Sequence, residues 1–240
     1  MSAFLKDKGS DTIRKSNNSD DTVSSHATIR DKLCALAEQH IAARETKSYT
    51  HFKKDAGKLK VNTWLGSQDG TPLTISVIKV VGLTVEDFRE FSHRDVYPSN
   101  MKIIDPILTC QELEVDLKIE GSYVMYTHIK TPVFTANRCS FEAVHTLDEG
   151  ENVNVSLSTS EGLEDVEAAE KARIGKDVLA KTKFAYSKYE GCQNGVVLTT
   201  VVCVDPAGSL PDFIKLQIAK QNSEGAERMV KHLLKKLKGV

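Results

Sequence analysis

The stretch VDPAGSLPDFIKLQIAKQNSEGAERMVKHLL, Val204 to Leu234, decides how this 240-residue chain is read. It starts as a strand end, breaks at Pro206 and Gly208, and continues as a long helix. Ser209 stands at the N-cap, with Asp212 three residues on in a capping-box-like spacing. Pro211 falls in the first turn, where its missing N–H costs nothing. Leu210, Phe213, Ile214 and Ile218 share one face, with Gln217 and Gln221 among them. Ala226, Met229, Val230, Leu233, Leu234 and Leu237 continue the stripe, and Gly225 marks a weak point in it. Such a stripe either packs on a sheet as core or turns partly to a ligand cavity. Glutamines set in it lean toward the cavity, because a buried amide needs a partner.

The rest of the chain supplies a sheet for this helix. Residues 1 to about 25 are rich in Ser, Asp, Asn and Lys and read as a disordered polar tail. Ile29, Leu33, Leu36, Ala37 and Ile41 then recur at helical spacing. In KLKVNTWL the period falls to two, and Gln68-Asp69-Gly70 joins it to LTISVIKVVG as a hairpin. LTVEDFREFSHRDVY is a short helix with Thr84 as N-cap. From about residue 101, MKIIDPIL, CQELEVDLKI, SYVMYTHI, RCSFEAVHTL, NVNVSLSTS, DVLAKTKFAYSKY and GVVLTTVVCV read as strands between Gly, Pro, Asp and Asn breaks. In CQELEVDLKI, Leu113, Val115, Leu117 and Ile119 face one way, as in a half-buried antiparallel strand. GVVLTTVVCV is apolar on both faces and reads as a central, doubly covered strand. SEGLEDVEAAEKARIGK is a charged loop or short helix. Without β-α-β alternation, the class is α+β with a mostly antiparallel sheet.

Composition excludes several functions. Hydrophobic residues are 40% and charged residues 27%, with a net charge of −1, so there is no basic field for nucleic acid. No apolar run is long enough for a signal peptide or a membrane span. The five cysteines are scattered, and they read as reduced thiols of a cytoplasmic protein. None of the seven histidines has metal-ligand spacing, although His128 and His145 lie on neighbouring strands and could pair. No G-x-S-x-G, P-loop or G-x-G-x-x-G occurs. Glu112, Glu114 and Asp116 read as the solvated face of their strand. The expectation is a non-enzyme without cofactor or metal.

The motif VVCVDPAGSLPDFIKLQIAKQ, with its turn Asp205-Pro206-Ala207-Gly208-Ser209-Leu210-Pro211, resembles the StAR-related lipid-transfer (START) domains over about residues 27–238. IKTPVFTANRCSFEAV is similar to that family's Pro-containing strand connection and the Arg-Asp dipeptide after it. Arg138 matches the Arg, and Cys139 replaces the Asp. The family's Trp-Asp is replaced within SHRDVYPSN. Several members carry a second Arg six residues on, where this chain has Val144, which speaks against an ion-paired cavity of the sterol-binding type. The resemblance implies a helix-grip fold over 26–240, a curved antiparallel sheet wrapped around the C-terminal helix. An apolar tunnel would hold one lipid, a phospholipid, sterol or sphingolipid such as a ceramide, and the carrier would be monomeric. Arg138, Phe213, Ile214, Gln217, Ile218 and Gln221 are the expected lipid-binding residues.

The physics permits this. Two chains leaving a bilayer cost on the order of 20 kcal/mol at about 0.8 kcal/mol per CH₂, so a carrier must close an apolar space over them. Lys231, Lys235 and Lys236 crowd the helix's C-terminal end. They suit its dipole, and with Met229, Leu233 and Leu237 opposite they also suit transient contact with an anionic membrane surface while the helix swings about Pro206–Gly208. Two alternatives stay open. One is a cyclase or hydrolase of the helix-grip superfamily. The other is a lipid-regulated interaction module that uses the tail 1–25.

Overall fold

A computed structural model describes residues 19–46, 49–131, 135–208 and 210–237, the side chains of 19–25, 148, 212–213 and 215–216 excepted. Its helices are α1 (Ser19–Ala43), α2 (Val85–Ser92), α3 (Tyr97–Ile104), α4 (Glu164–Ala169), α5 (Lys171–Ile174) and α6 (Asp212–Leu237). Its strands are β1 (Thr50–Ala56), β2 (Leu59–Gln68), β3 (Thr71–Val81), β4 (Leu108–Leu113), β5 (Ser122–Ile129), β6 (Arg138–Asp148), β7 (Val153–Thr159), β8 (Val178–Leu179), β9 (Lys181–Cys192) and β10 (Gly195–Asp205). The sheet runs β1-β2-β3-β10-β9-β7-β6-β5-β4, antiparallel throughout, and the short β8 adds in parallel to β6.

Turn chemistry sets the hairpins. Asp69 and Gly70 both take positive φ between β2 and β3, as a two-residue turn matching strand twist requires. Gly195 opens β10 where a Cβ would stand 2.0 Å from the Val80 carbonyl oxygen, so only glycine fits that approach. Thr84 caps α2 in a full capping box with Asp87. Central β10 is covered on both faces, as apolar residues on both of its faces predict.

The two faces hold different contents. On the outer face Leu33 and Ala37 of α1 pack with Trp64, Leu73, Leu157, Phe184 and Val201, and Phe141 and Ala143 pack with Leu163 beside α4. On the inner face Val61, Ile78, Tyr189 and Leu198 meet Phe88 of α2 and Met229, Val230 and Leu233 of α6. Helix α6 thus lies along β3 and β2 with its C-terminal turns buried, and α3 lies over β4.

Four segments differ from the sequence reading. Helix α1 starts at Ser19, inside the stretch read as a disordered tail. MKII is the end of α3, not a strand. Pro98 begins that helix, Asn100 Nδ2 donates to the Phe91 carbonyl at 2.9 Å, and Met101 and Ile104, three apart, pack on one side. The strand expected through Ile119 stops at Leu113. The Asp116 carboxylate accepts from the Lys118 amide at 2.8 Å, and positive φ at Lys118 and Gly121 turns the chain. Leu113 buries at the end of β4, and Leu117 buries as a loop anchor. The edge strand β1 was not expected, because THFKKDA is exposed along its whole length and shows no buried face.

Candidate functional site

The inner face becomes polar away from the α2 end. One cross-strand row, Ser76–Thr200–Ser187–Ser156–Thr146, places a hydroxyl on each of five strands, β3, β10, β9, β7 and β6. Ser76 is fully buried, and its Oγ has no hydrogen-bond partner among the described residues. The row runs from buried Ser76 and Thr200 through half-buried Ser187 and Ser156 to exposed Thr146. A close-packed core does not leave a hydroxyl as deep as that of Ser76 bare, since that costs on the order of 1–3 kcal/mol.

Further along β6 the same face carries Ser140 and Glu142, alternating with the outward Cys139, Phe141 and Ala143. The Glu142 carboxylate is half-buried. Ser140 and Thr182 donate to its Oε1 at 2.8 and 3.0 Å, and Ser158 donates to its Oε2 at 2.7 Å. The nearby cations are engaged elsewhere: Lys181 pairs with Glu167, and Arg138 donates to carbonyls. Tyr97 of α3, Cys110 and Tyr123 lie within range of the carboxylate's charge. Burial first, and the Glu142 charge among lesser causes, raises all three above their ordinary range, Cys110 to about 11 and Tyr123 to about 12.

Arg138 opens β6 on this face and is buried. Its Nε donates to the Pro206 carbonyl at 3.3 Å, and its Nη1 to that of Ala136. It therefore ties β6 to the turn before α6, where Ala207 and Gly208 take positive φ and Asp205 Oδ1 accepts from the Ala207 amide at 2.9 Å.

On α6, Ile214 and Ile218 are half-buried, and Ala219 is buried with its carbonyl accepting from Thr74 Oγ1 at 2.9 Å. Gln217 and Gln221 are exposed. Two residues either side of Ala219, at about 100° per residue, they point away from the strands. Their amides are solvated, contrary to the expectation that they face inward. The Phe213 side chain and Ser209 lie outside the described residues. Met229 and Leu233, expected on a membrane-facing side, belong to the core, and only Leu237 of that set is exposed. Lys231 holds Glu227 at 2.7 Å, and Lys54 holds it from β1 at 2.6 Å. Lys235 and Lys236 are exposed in the last turn.

Lys54 and Lys231 border an open groove of about 560 Å³ between β1–β2 and α6, lined also by Phe52, Val61, Thr63, Leu65 and Glu227. Its walls mix apolar Phe52, Val61 and Leu65 with the Lys54–Glu227–Lys231 ion pairs. His128 and His145 do not meet: His128 Nε2 lies 3.0 Å from Asp177, and His145 Nδ1 lies 2.8 Å from Ser122 at the other end of β5. Among the described residues no group of His, Cys, Asp or Glu could hold a metal ion, and no helix is long and apolar enough to cross a membrane.

The sheet order and the helix across its inner face match known structures. Human StAR-related lipid transfer protein 5 superposes with a TM-score of 0.64 at 13% identity, covering 88% of this chain and 98% of that one. This chain has the helix-grip fold of the StAR-related lipid-transfer domains. Human STARD10 gives a TM-score of 0.62 at 16% identity over 82% of this chain and 78% of that one. A STAR-related lipid transfer protein of Xanthomonas axonopodis gives 0.58 at 15% identity over 78% and 99%. By sequence, no protein-family profile and no curated protein matches the chain. The helix-grip fold thus survives here as pattern and topology, with little residue identity.

Ser140 and Glu142 were missed as site residues, although the signal was present. Once Arg138 is placed on the inner face, a period of two carries Ser140 and Glu142 onto it as well.

Proposed function

We propose that this protein binds one lipid between the inner face of the sheet and α6, and carries it between membranes or senses it. The hydroxyl row and Glu142, set beside an apolar cluster rather than within one, support this reading most directly. An interior that receives an amphipathic ligand needs both an apolar wall and a polar end. The similar structures of StAR-related lipid transfer proteins point the same way. Ile214 and Ile218, on the half-buried side of α6, contact the chains, and Arg138 holds the turn that seats the helix.

The gate is the N-terminal half of α6. Its C-terminal half is fixed by Met229, Val230 and Leu233, so the whole helix does not swing about Pro206–Gly208; the first turns bend near Gly225 instead. Lys235 and Lys236 rest on anionic membrane surfaces during loading, at roughly 1 kcal/mol for each cation near the charge.

Ala185, on the inner face opposite Ser158, provides the test. Protein incubated with mixed liposomes and extracted yields about one lipid per chain, and Ala185→Trp, which fills the space, yields none while remaining folded. Equal lipid recovery from both proteins would reject the site.

A further inference from the structure

The polar end of the ligand can be read from the charge that waits for it. We infer that Glu142 receives a lipid whose polar end is a proton donor without an anionic phosphate, an amine or an alcohol. The inference rests on the lipid-binding reading above and names the class of ligand within it.

Glu142 has two carboxylate oxygens with about four acceptor positions. Three are filled, by Ser140, Thr182 and Ser158. The open position is on Oε2. Tyr97, Tyr123 and Cys110 are near enough to feel the carboxylate's charge, and burial keeps all of them protonated at neutral pH. No described cation pairs with the carboxylate. A half-buried, uncompensated negative charge attracts a cation or a donor hydrogen and repels a phosphate.

The arginine that could have received a phosphate is already engaged. Arg138 shares the inner face with Glu142, but its guanidinium donates to the carbonyls of Pro206 and Ala136. The remaining polar surface, the row from Ser76 to Thr146, is made of hydroxyls, which bear no charge and can donate or accept. The unpartnered Oγ of Ser76 adds an open position at the far end of that row. The polar lining is thus neutral to negative, and its strongest group is an acceptor.

The test compares ligands with one chain and different heads. 1-N-phenylnaphthylamine, a neutral apolar fluorophore, reports occupation of the interior, and dodecylamine, 1-dodecanol and monododecyl phosphate compete for it. Dodecylamine and dodecanol should displace the fluorophore at least tenfold more tightly than monododecyl phosphate. Glu142→Gln should cut the amine's advantage over the phosphate about tenfold or more. A phosphate that binds as well as the amine to the unaltered protein overturns the inference without recourse to any variant. So does an unchanged amine-to-phosphate ratio in Glu142→Gln. If the fluorophore never enters, the lipid-binding reading fails along with this one; entry without head preference sinks this inference alone.

Discussion

Arg138 Nε lies 3.3 Å from the carbonyl oxygen of Pro206, joining the first residue of β6 to the turn that launches α6. The two residues are 68 apart in sequence, and the bond is buried. A charged donor on a buried carbonyl contributes about 1.5–3 kcal/mol. Arg138→Met should therefore lower the melting temperature by several degrees, at about 2–4 °C per kcal/mol for a chain of this size. The amine-to-phosphate preference should stay unchanged, because the guanidinium is held on the Pro206 and Ala136 carbonyls. A lost preference with an unchanged melting temperature would move Arg138 into the binding site.

Glu227 bridges Lys54 and Lys231 across the β1 edge, and the paired lysines hold its carboxyl below the usual range against the opposing effect of burial. Lys231→Glu should cost roughly 1 kcal/mol of stability through this contact, since the lysines are half-exposed. Membrane contact is therefore best probed at Lys235 and Lys236. Their joint change to Glu should slow transfer from anionic liposomes and spare neutral ones, and added salt should reproduce the effect. Equal slowing on both liposome types would remove the two lysines from docking.

On α6, Gln217 and Ile218 are adjacent, and the helix turns them to different sides. Gln217→Leu should leave lipid uptake and selectivity as they are, because the amide is in water. Ile218→Ala removes apolar contact worth about 1.4 kcal/mol, which is tenfold in affinity for a long-chain ligand. Titrations with dodecanol distinguish the two. A selectivity change in Gln217→Leu would mean that the inner face of α6 has been misassigned.

His145 is buried on the outer side of β6, with Nδ1 on Ser122 and Nε2 without a partner. Burial lowers its pKa to about 4, with smaller contributions from His26 and Arg30. A histidine depressed in the folded state stabilises fully above the unfolded value near 6.5, and that stability is lost as pH falls toward 4. The loss is on the order of 3 kcal/mol for the full shift. Urea midpoints should fall between pH 7 and pH 5 in the unaltered protein and fall distinctly less in His145→Phe. Identical slopes would show that the ring is solvated.

Much of this architecture is written in patterns of period two and 3.6. The hairpin at Asp69-Gly70, the capped α2, the central β10 and the amphipathic α6 are all local signals, and each formed where its pattern stood. The errors arose where a local pattern served another purpose. Val115 and Leu117 continue the alternation of Leu113 but lie in a loop, because Asp116 and Gly121 turn the chain. Met101 and Ile104 sit three apart in too short a run to declare a helix without Pro98. Gln217 and Gln221 sit within an apolar stripe by sequence but round the helix from it in space. Glu142 needed the strand register, which brings Ser158 and Thr182 to it from β7 and β9, and no single-chain period encodes that meeting.

The central claim is that one lipid occupies the space between the inner face of the sheet and α6. Native mass spectrometry of the full chain after incubation with liposomes of mixed head groups measures this directly. The account predicts a dominant species heavier than the bare chain by the mass of a single lipid, absent from Ala185→Trp treated in the same way. A bare-chain mass alone after that exposure, from protein with an intact melting transition, would contradict it.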